Sequence, residues 1–110
     1  MKKIYYLKTC DTCRRILKAM DIEGYELQDI KTVPITVDQL DALFEKTQSY
    51  EVLFSRRAKK YKQMDLKNQT LTERDYRRLI LDEYTFLKRP VIVDGSKVLV
   101  GNTLKRVDIA

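Results

Sequence analysis

The chain has two cysteines, Cys10 and Cys13, at Cys-x-x-Cys spacing. They lie between an apolar run ending at Leu7 and an amphipathic stretch that begins at Asp11 or Thr12. That order reads as strand, tight turn, helix, with Cys10 at or beside the helix N-cap. Helical N–H groups without intrahelical partners point at such a position, and the helix dipole adds partial positive charge there. A thiolate, the reactive form of cysteine, is stabilised by that field. Arg14 contributes a further positive charge and is a candidate anion-binding residue, and Asp11 opposes it with a negative charge. Cys13 lies one turn on, close enough to close a disulfide with Cys10. A Cys-x-x-Cys at a strand–helix junction of an α/β chain is a redox signature. Cys10 is therefore the candidate nucleophile and Cys13 the candidate resolving thiol. Cys13 also falls on the apolar face of its helix, so a packed core thiol is the competing reading.

The elements that must hold this pair can be read in order. A first strand spans about Lys3 to Leu7, and a first helix runs to about Ile22, with Cys13, Ile16, Leu17 and Met20 on one face. Gly24 reads as its C′ residue, and Tyr25 to Ile30 as a second strand. A short crossover helix makes these two strands parallel. Thr36 with Gln39 forms a capping box for a helix from Val37 to about Lys46, its buried face made of Val37, Leu40, Leu43 and Phe44. A helical segment at Tyr50–Phe54 precedes the basic run Ser55-Arg56-Arg57-Ala58-Lys59-Lys60-Tyr61-Lys62. Asn68 to Leu71 reads as a turn. Thr72 caps a helix from Glu73 to about Tyr84, with Tyr76, Leu79, Ile80 and Tyr84 inward. Strands at Val91–Val93 and Val98–Val100 flank an Asp94-Gly95 hairpin signal. A last short helix starts at Asn102 or Thr103. The order is β-α-β, helices, then β-β-α.

Composition limits what such a chain can do. A length of 110 residues predicts a single domain over 1–110, which should bury roughly 65% of its unfolded surface without disulfide staples. Histidine is absent, so serine–histidine and cysteine–histidine catalysis are out of reach. Two cysteines alone cannot complete a structural zinc site within one chain, so no metal is expected. Met1-Lys2-Lys3 leads straight into a strand, and no apolar run is long enough to span a membrane. The expected address is the cytoplasm. A net charge of +6 favours anionic partners without naming them. The basic run reads equally as an anion funnel, a nucleic-acid footprint or a solvated helix face.

The order of elements, with a proline just before the third strand, looks like a thioredoxin-type fold, glutaredoxin-like, with a mixed four-stranded sheet and a helical insertion. Four segments narrow the resemblance: Cys10-Asp11-Thr12-Cys13-Arg14, Ser55 to Tyr61, Phe86-Leu87-Lys88-Arg89-Pro90-Val91-Ile92-Val93, and Val100-Gly101. They resemble the ArsC/Spx family, which joins glutaredoxin-coupled arsenate reductases with the Spx redox regulators. The resemblance implies that Arg89 and Arg57 contact an oxyanion, and that Pro90 is a cis-proline facing the cysteine. Two further family arginines fall near Ser55 and at Gly101 or Asn102, so the oxyanion set is incomplete and arsenate reduction is expected to be weak or absent. Implied with it are a Cys10/Cys13 dithiol–disulfide cycle, a small oxyanion or disulfide substrate, and glutaredoxin with glutathione, or thioredoxin, as reductant. No bound cofactor is required. The alternative it carries is an Spx-like regulator that binds RNA polymerase. Against that alternative, the chain ends at Ala110, without the longer C-terminal region of Spx regulators.

Overall fold

The computed structural model describes residues 1–109. Five strands form one sheet: β1 (Lys2–Tyr6), β2 (Glu26–Asp29), β3 (Val91–Asp94), β4 (Lys97–Val100) and β5 (Lys105–Arg106). Their order across the sheet is β2-β1-β3-β4-β5. Only β1 and β2 run parallel, joined by the crossover helix α1 (Asp11–Ala19). The other neighbours are antiparallel.

Alternation along the central strands divides the core between the two faces of the sheet. Tyr5, Val91, Val93, Val98 and Val100 point to one face, where they meet Leu40 and Leu43 of α2 (Val37–Thr47) and Tyr76, Leu79 and Ile80 of α4 (Glu73–Asp82). Ile4, Ile92, Tyr6 and Leu99 point to the other, where Ile16, Leu17 and Met20 of α1 cover them. The insertion between β2 and β3 also contains α3 (Lys59–Gln63) and single helical turns at Glu51–Leu53, Leu66–Asn68 and Tyr84–Phe86. Two capping boxes, Thr36 with Gln39 and Thr72 with Asp75, start α2 and α4 as the spacing predicts.

Some expectations differ from the structure. Helix α1 stops at Ala19, and Gly24 (φ +84°) serves the turn into β2 rather than the helix end. Val37 is half exposed because it occupies the first turn of α2, ahead of the buried Leu40, Leu43 and Thr47 stripe. The sheet has a fifth strand in place of the last helix. Gly101 and Leu104 both take positive φ and close a turn, with the Leu104 amide donating to the Gly101 carbonyl at 3.0 Å, so the chain reverses onto β4. Among the described residues, no helix is long and apolar enough to cross a membrane.

Candidate active site

The pairing of β1 with β3 brings the cysteines and Arg89 to one edge of the sheet. Tyr5 sits opposite Val91 in an antiparallel register, so the chain leaving β1 toward Cys10 passes the chain entering β3 from Arg89 and Pro90. The end of β4 and the start of β5 arrive at the same edge, through the Val91–Val100 and Val100–Lys105 pairs. The Gly101 amide donates to the Pro90 carbonyl at 3.0 Å. The insertion is stitched on from the side: the Ser55 amide donates to Phe86 O at 2.7 Å and the Lys88 amide to Leu53 O at 2.8 Å. These bonds hold Ser55, Arg56 and Arg57 beside Lys88 and Arg89.

The result is an open cleft of about 440 Å³ with Cys10 and Thr12 on one wall. Arg56, Arg57, Lys88, Arg89 and Lys105 line it, and among the described residues no carboxylate does. Ser55, Gly101 and Asn102, the positions where the resemblance lacks arginines, line the same cleft. The cation count there is made up by residues from other places in the chain.

Cys10 is the N-cap of α1, with extended backbone (φ −86°, ψ 120°), and its carbonyl accepts the Arg14 amide at 3.0 Å. Partial burial pushes this thiol up. The Cys13 amide and thiol, the Thr12 amide and the Arg89 charge outweigh that push, and the thiol is held below its ordinary value. Cys13 is fully buried. Burial drives its thiol up to about 11; the Leu7 backbone opposes this, while the neighbouring Cys10 reinforces it. Both thiols are free. One sulfur thus opens on the cleft as the better thiolate, and the other is sealed beneath it within hydrogen-bonding reach.

Arg89 is held from behind. Its Nη1 donates to the carbonyls of Thr85 at 3.1 Å and Leu87 at 3.3 Å. Its Nε is buried and has no hydrogen-bond partner among the described residues. The Arg89–Pro90 peptide bond is cis. Arg57 lines the cleft, its backbone amide donating to Ser55 Oγ at 3.3 Å. Arg14, by contrast, is exposed on α1, paired with Asp11, and is not a lining residue.

Lys88 and Lys105 have no site role in the sequence reading, and Arg56 has one only as part of the basic run. Arg56 is anchored by Glu51 at 2.7 Å and the Tyr76 hydroxyl at 3.1 Å. Lys88 is held below its ordinary value by burial, then by the charges of Arg56 and Lys105, against the opposing pull of Glu51. Lys105 comes from β5. Arg56 and Lys88 stood beside residues already singled out, but only the fold separates them from Lys59, Lys60 and Lys62, none of which lines the cleft.

Comparison with known proteins agrees with this architecture. The chain is 30% identical over 102 residues to the uncharacterized protein YusI of Bacillus subtilis, covering 88% of this chain and 86% of that one. It is 25% identical over 105 residues to the global transcriptional regulator Spx of the same organism, covering 92% and 79%. A putative arsenate reductase from Yersinia pestis superposes with a TM-score of 0.75 at 22% identity, over 92% of each chain, and shares the fold. The ArsC family profile runs from residue 5 to residue 109, from the end of β1 across the cysteine pair, the Arg89–Pro90 segment and β5, and the chain belongs to the ArsC family.

Proposed function

We propose that this protein is a thiol–disulfide oxidoreductase acting as a single domain in the cytoplasm, with Cys10 as nucleophile and Cys13 as resolving thiol. The observation that carries the reading is the division between the two sulfurs: Cys10 opens on a cationic cleft, and Cys13 lies buried directly behind it. The Cys10 thiolate attacks a substrate disulfide, one substrate thiolate leaves, and a mixed disulfide forms. Cys13 then loses its proton and attacks the Cys10 sulfur. The second substrate thiolate is released, and a Cys10–Cys13 disulfide remains. The substrate gains two electrons and the protein pair loses two. Glutaredoxin with glutathione, or thioredoxin, restores the dithiol. Arg89 and Arg57 stabilise negative charge at the reacting sulfur or on an oxyanion substrate. Arg14 adds only long-range positive charge. Pro90 shapes the loop that faces Cys10.

Arsenate is the weaker substrate in this reading. Lysines offer point charges where the family arginines would offer planar forks. The test is an NADPH-coupled assay with the glutaredoxin and thioredoxin systems, run against arsenate and model disulfides. Disulfide turnover is expected, with arsenate efficiency below about 10⁴ M⁻¹s⁻¹, the low end for enzymes. Mild oxidation should leave a monomer lighter by two hydrogen atoms on mass spectrometry. Dominant intermolecular dimers would count against the cycle.

A second reading has one specific support, the 25% identity to the regulator Spx. In it the same pair is a sensor and the partner is RNA polymerase. Retention of RNA polymerase by the immobilised protein, changing with the redox state of the pair and without turnover, would favour it.

A further inference from the structure

Positive charge in the cleft exceeds what the thiolate needs. Arg89 acts on Cys10, whereas Arg56 and Lys105 act on Lys88, and all three line the same cleft. The charges of Arg56 and Lys105 disfavour the ammonium form of Lys88, so the three are gathered closely enough to repel. The one carboxylate that acts on Lys88, Glu51, is already engaged by Arg56 at 2.7 Å. Neither Lys88 nor Lys105 has an ion-pair partner among the described residues. Grouping two unpaired lysines beside Arg56 in one cleft costs free energy, and an anion placed there relieves it. A bare thiolate cleft would not need this wall.

We propose that Lys88, Lys105 and Arg56 form a subsite for the carboxylates of a disulfide substrate, so that the protein selects acidic disulfides over neutral and basic ones. The proposal rests on the thiol–disulfide reading above and adds its substrate class. Cys10 supplies the attack, and the cationic wall holds the acidic part of the substrate. A cleft of about 440 Å³ is large enough for a small ligand rather than a folded chain. Discrimination comes from attraction of the carboxylates and equally from repulsion of an amine-bearing disulfide.

The experiment uses the full-length reduced protein and three small disulfides: 3,3′-dithiodipropionate (dianionic), bis(2-hydroxyethyl) disulfide (neutral) and cystamine (dicationic). Oxidation of the Cys10–Cys13 pair is followed by acid quench, alkylation and mass spectrometry. Each rate is divided by that of the same disulfide with N-acetylcysteamine, a neutral thiol that is the half of none of the three, which removes intrinsic reactivity. At low ionic strength the dianion should exceed the neutral disulfide by about tenfold or more, and the dication should be slowest. Lys88→Gln combined with Lys105→Gln should bring the dianion-to-neutral ratio close to one, and Lys88→Arg with Lys105→Arg should restore it. The ratio is internal to each protein, so a change in thiol reactivity or in the folded fraction cancels. A ratio near one in the unsubstituted protein, or a ratio that survives the Gln pair, overturns the subsite while leaving the oxidoreductase intact. If no disulfide oxidises the pair, the thiol–disulfide reading falls and the subsite falls with it.

Discussion

The two thiols have the same covalent chemistry and opposite environments. Cys10 sits at a helix start facing the Thr12 and Cys13 amides, whereas Cys13 has lost its solvent. Reactivity follows the thiolate fraction, so iodoacetamide at pH 7 should modify one cysteine of the folded, reduced protein. Peptide mapping should place the label on Cys10, with a pH midpoint below the free-thiol value of about 8.5. Cys13 should resist until the pH nears about 11 or the chain unfolds. Equal labelling of both at neutral pH would remove the assigned division of roles. Replacing Arg89 with Gln should raise the Cys10 midpoint, since the Arg89 charge favours the thiolate. It also strips donors from the Thr85 and Leu87 carbonyls. Charge-assisted hydrogen bonds contribute about 1.5–3 kcal/mol each, so this variant should melt earlier as well. The loop arginine to which the resemblance gives an oxyanion contact therefore also braces its own loop.

Among the elements, β5 is the shortest and carries the most consequence for the cleft. Two residues cannot hold a strand by ladder bonds alone. Asp108 supplies the clasp, accepting from the Val98 amide at 3.0 Å and from Arg106 Nε at 2.9 Å. The Val107 amide adds a bond to the Val98 carbonyl at 2.9 Å. The Arg106 side chain first, and then the Val98 amide, hold the Asp108 carboxyl at about 2, below its ordinary 3.8. The folded state therefore binds this proton less readily than the unfolded chain. Its stabilisation is complete above about 3.8 and is lost as the pH falls through about 2. Hydrogen-exchange protection of the Val98 and Val107 amides should drop across that window. Asp108→Asn should produce the same loss at pH 7 and should also weaken the preference for acidic disulfides, because β5 carries Lys105. Unchanged protection in both experiments would mean that the turn at Gly101–Leu104 holds β5 unaided.

At the scale of the whole molecule, the net charge of +6 divides into charges that line the cleft and charges that do not. Lys59, Lys60 and Lys62 on α3 belong to the second group. Such charges can steer an anion during approach without holding it. Steering fades once the Debye length shrinks from about 30 Å at 0.01 M salt to about 8 Å at 0.15 M. Substituting all three with Gln should therefore slow reaction with dithiodipropionate at low salt and leave it nearly unchanged at 0.15 M. The Lys88 and Lys105 pair should matter at both. If the α3 substitutions matter equally at high salt, these lysines reach the bound ligand and the boundary of the subsite must be redrawn.

The amino-acid order by itself determined what local periodicity and spacing can encode. The short apolar runs of β1, β3 and β4, the faces of α1 and α4, both capping boxes and the hairpin after Asp94 depend on neighbours within a turn or a strand pair. The reactive position of Cys10 is equally local, because a helix start exposes its own amides. Only the tertiary structure decided which cations share the cleft. Arg56, Lys88 and Lys105 are drawn together by the antiparallel register of β1, β3 and β4, by the turn that folds β5 back, and by the bonds from residues 53 and 55 to residues 88 and 86. No periodicity distinguishes Arg56 from Lys60, or Lys88 from Arg14, because each is a charged residue beside a recognisable motif. Their separation into cleft and solvent is a property of strand order, which brings distant segments to one edge of the sheet and leaves nearer ones outside.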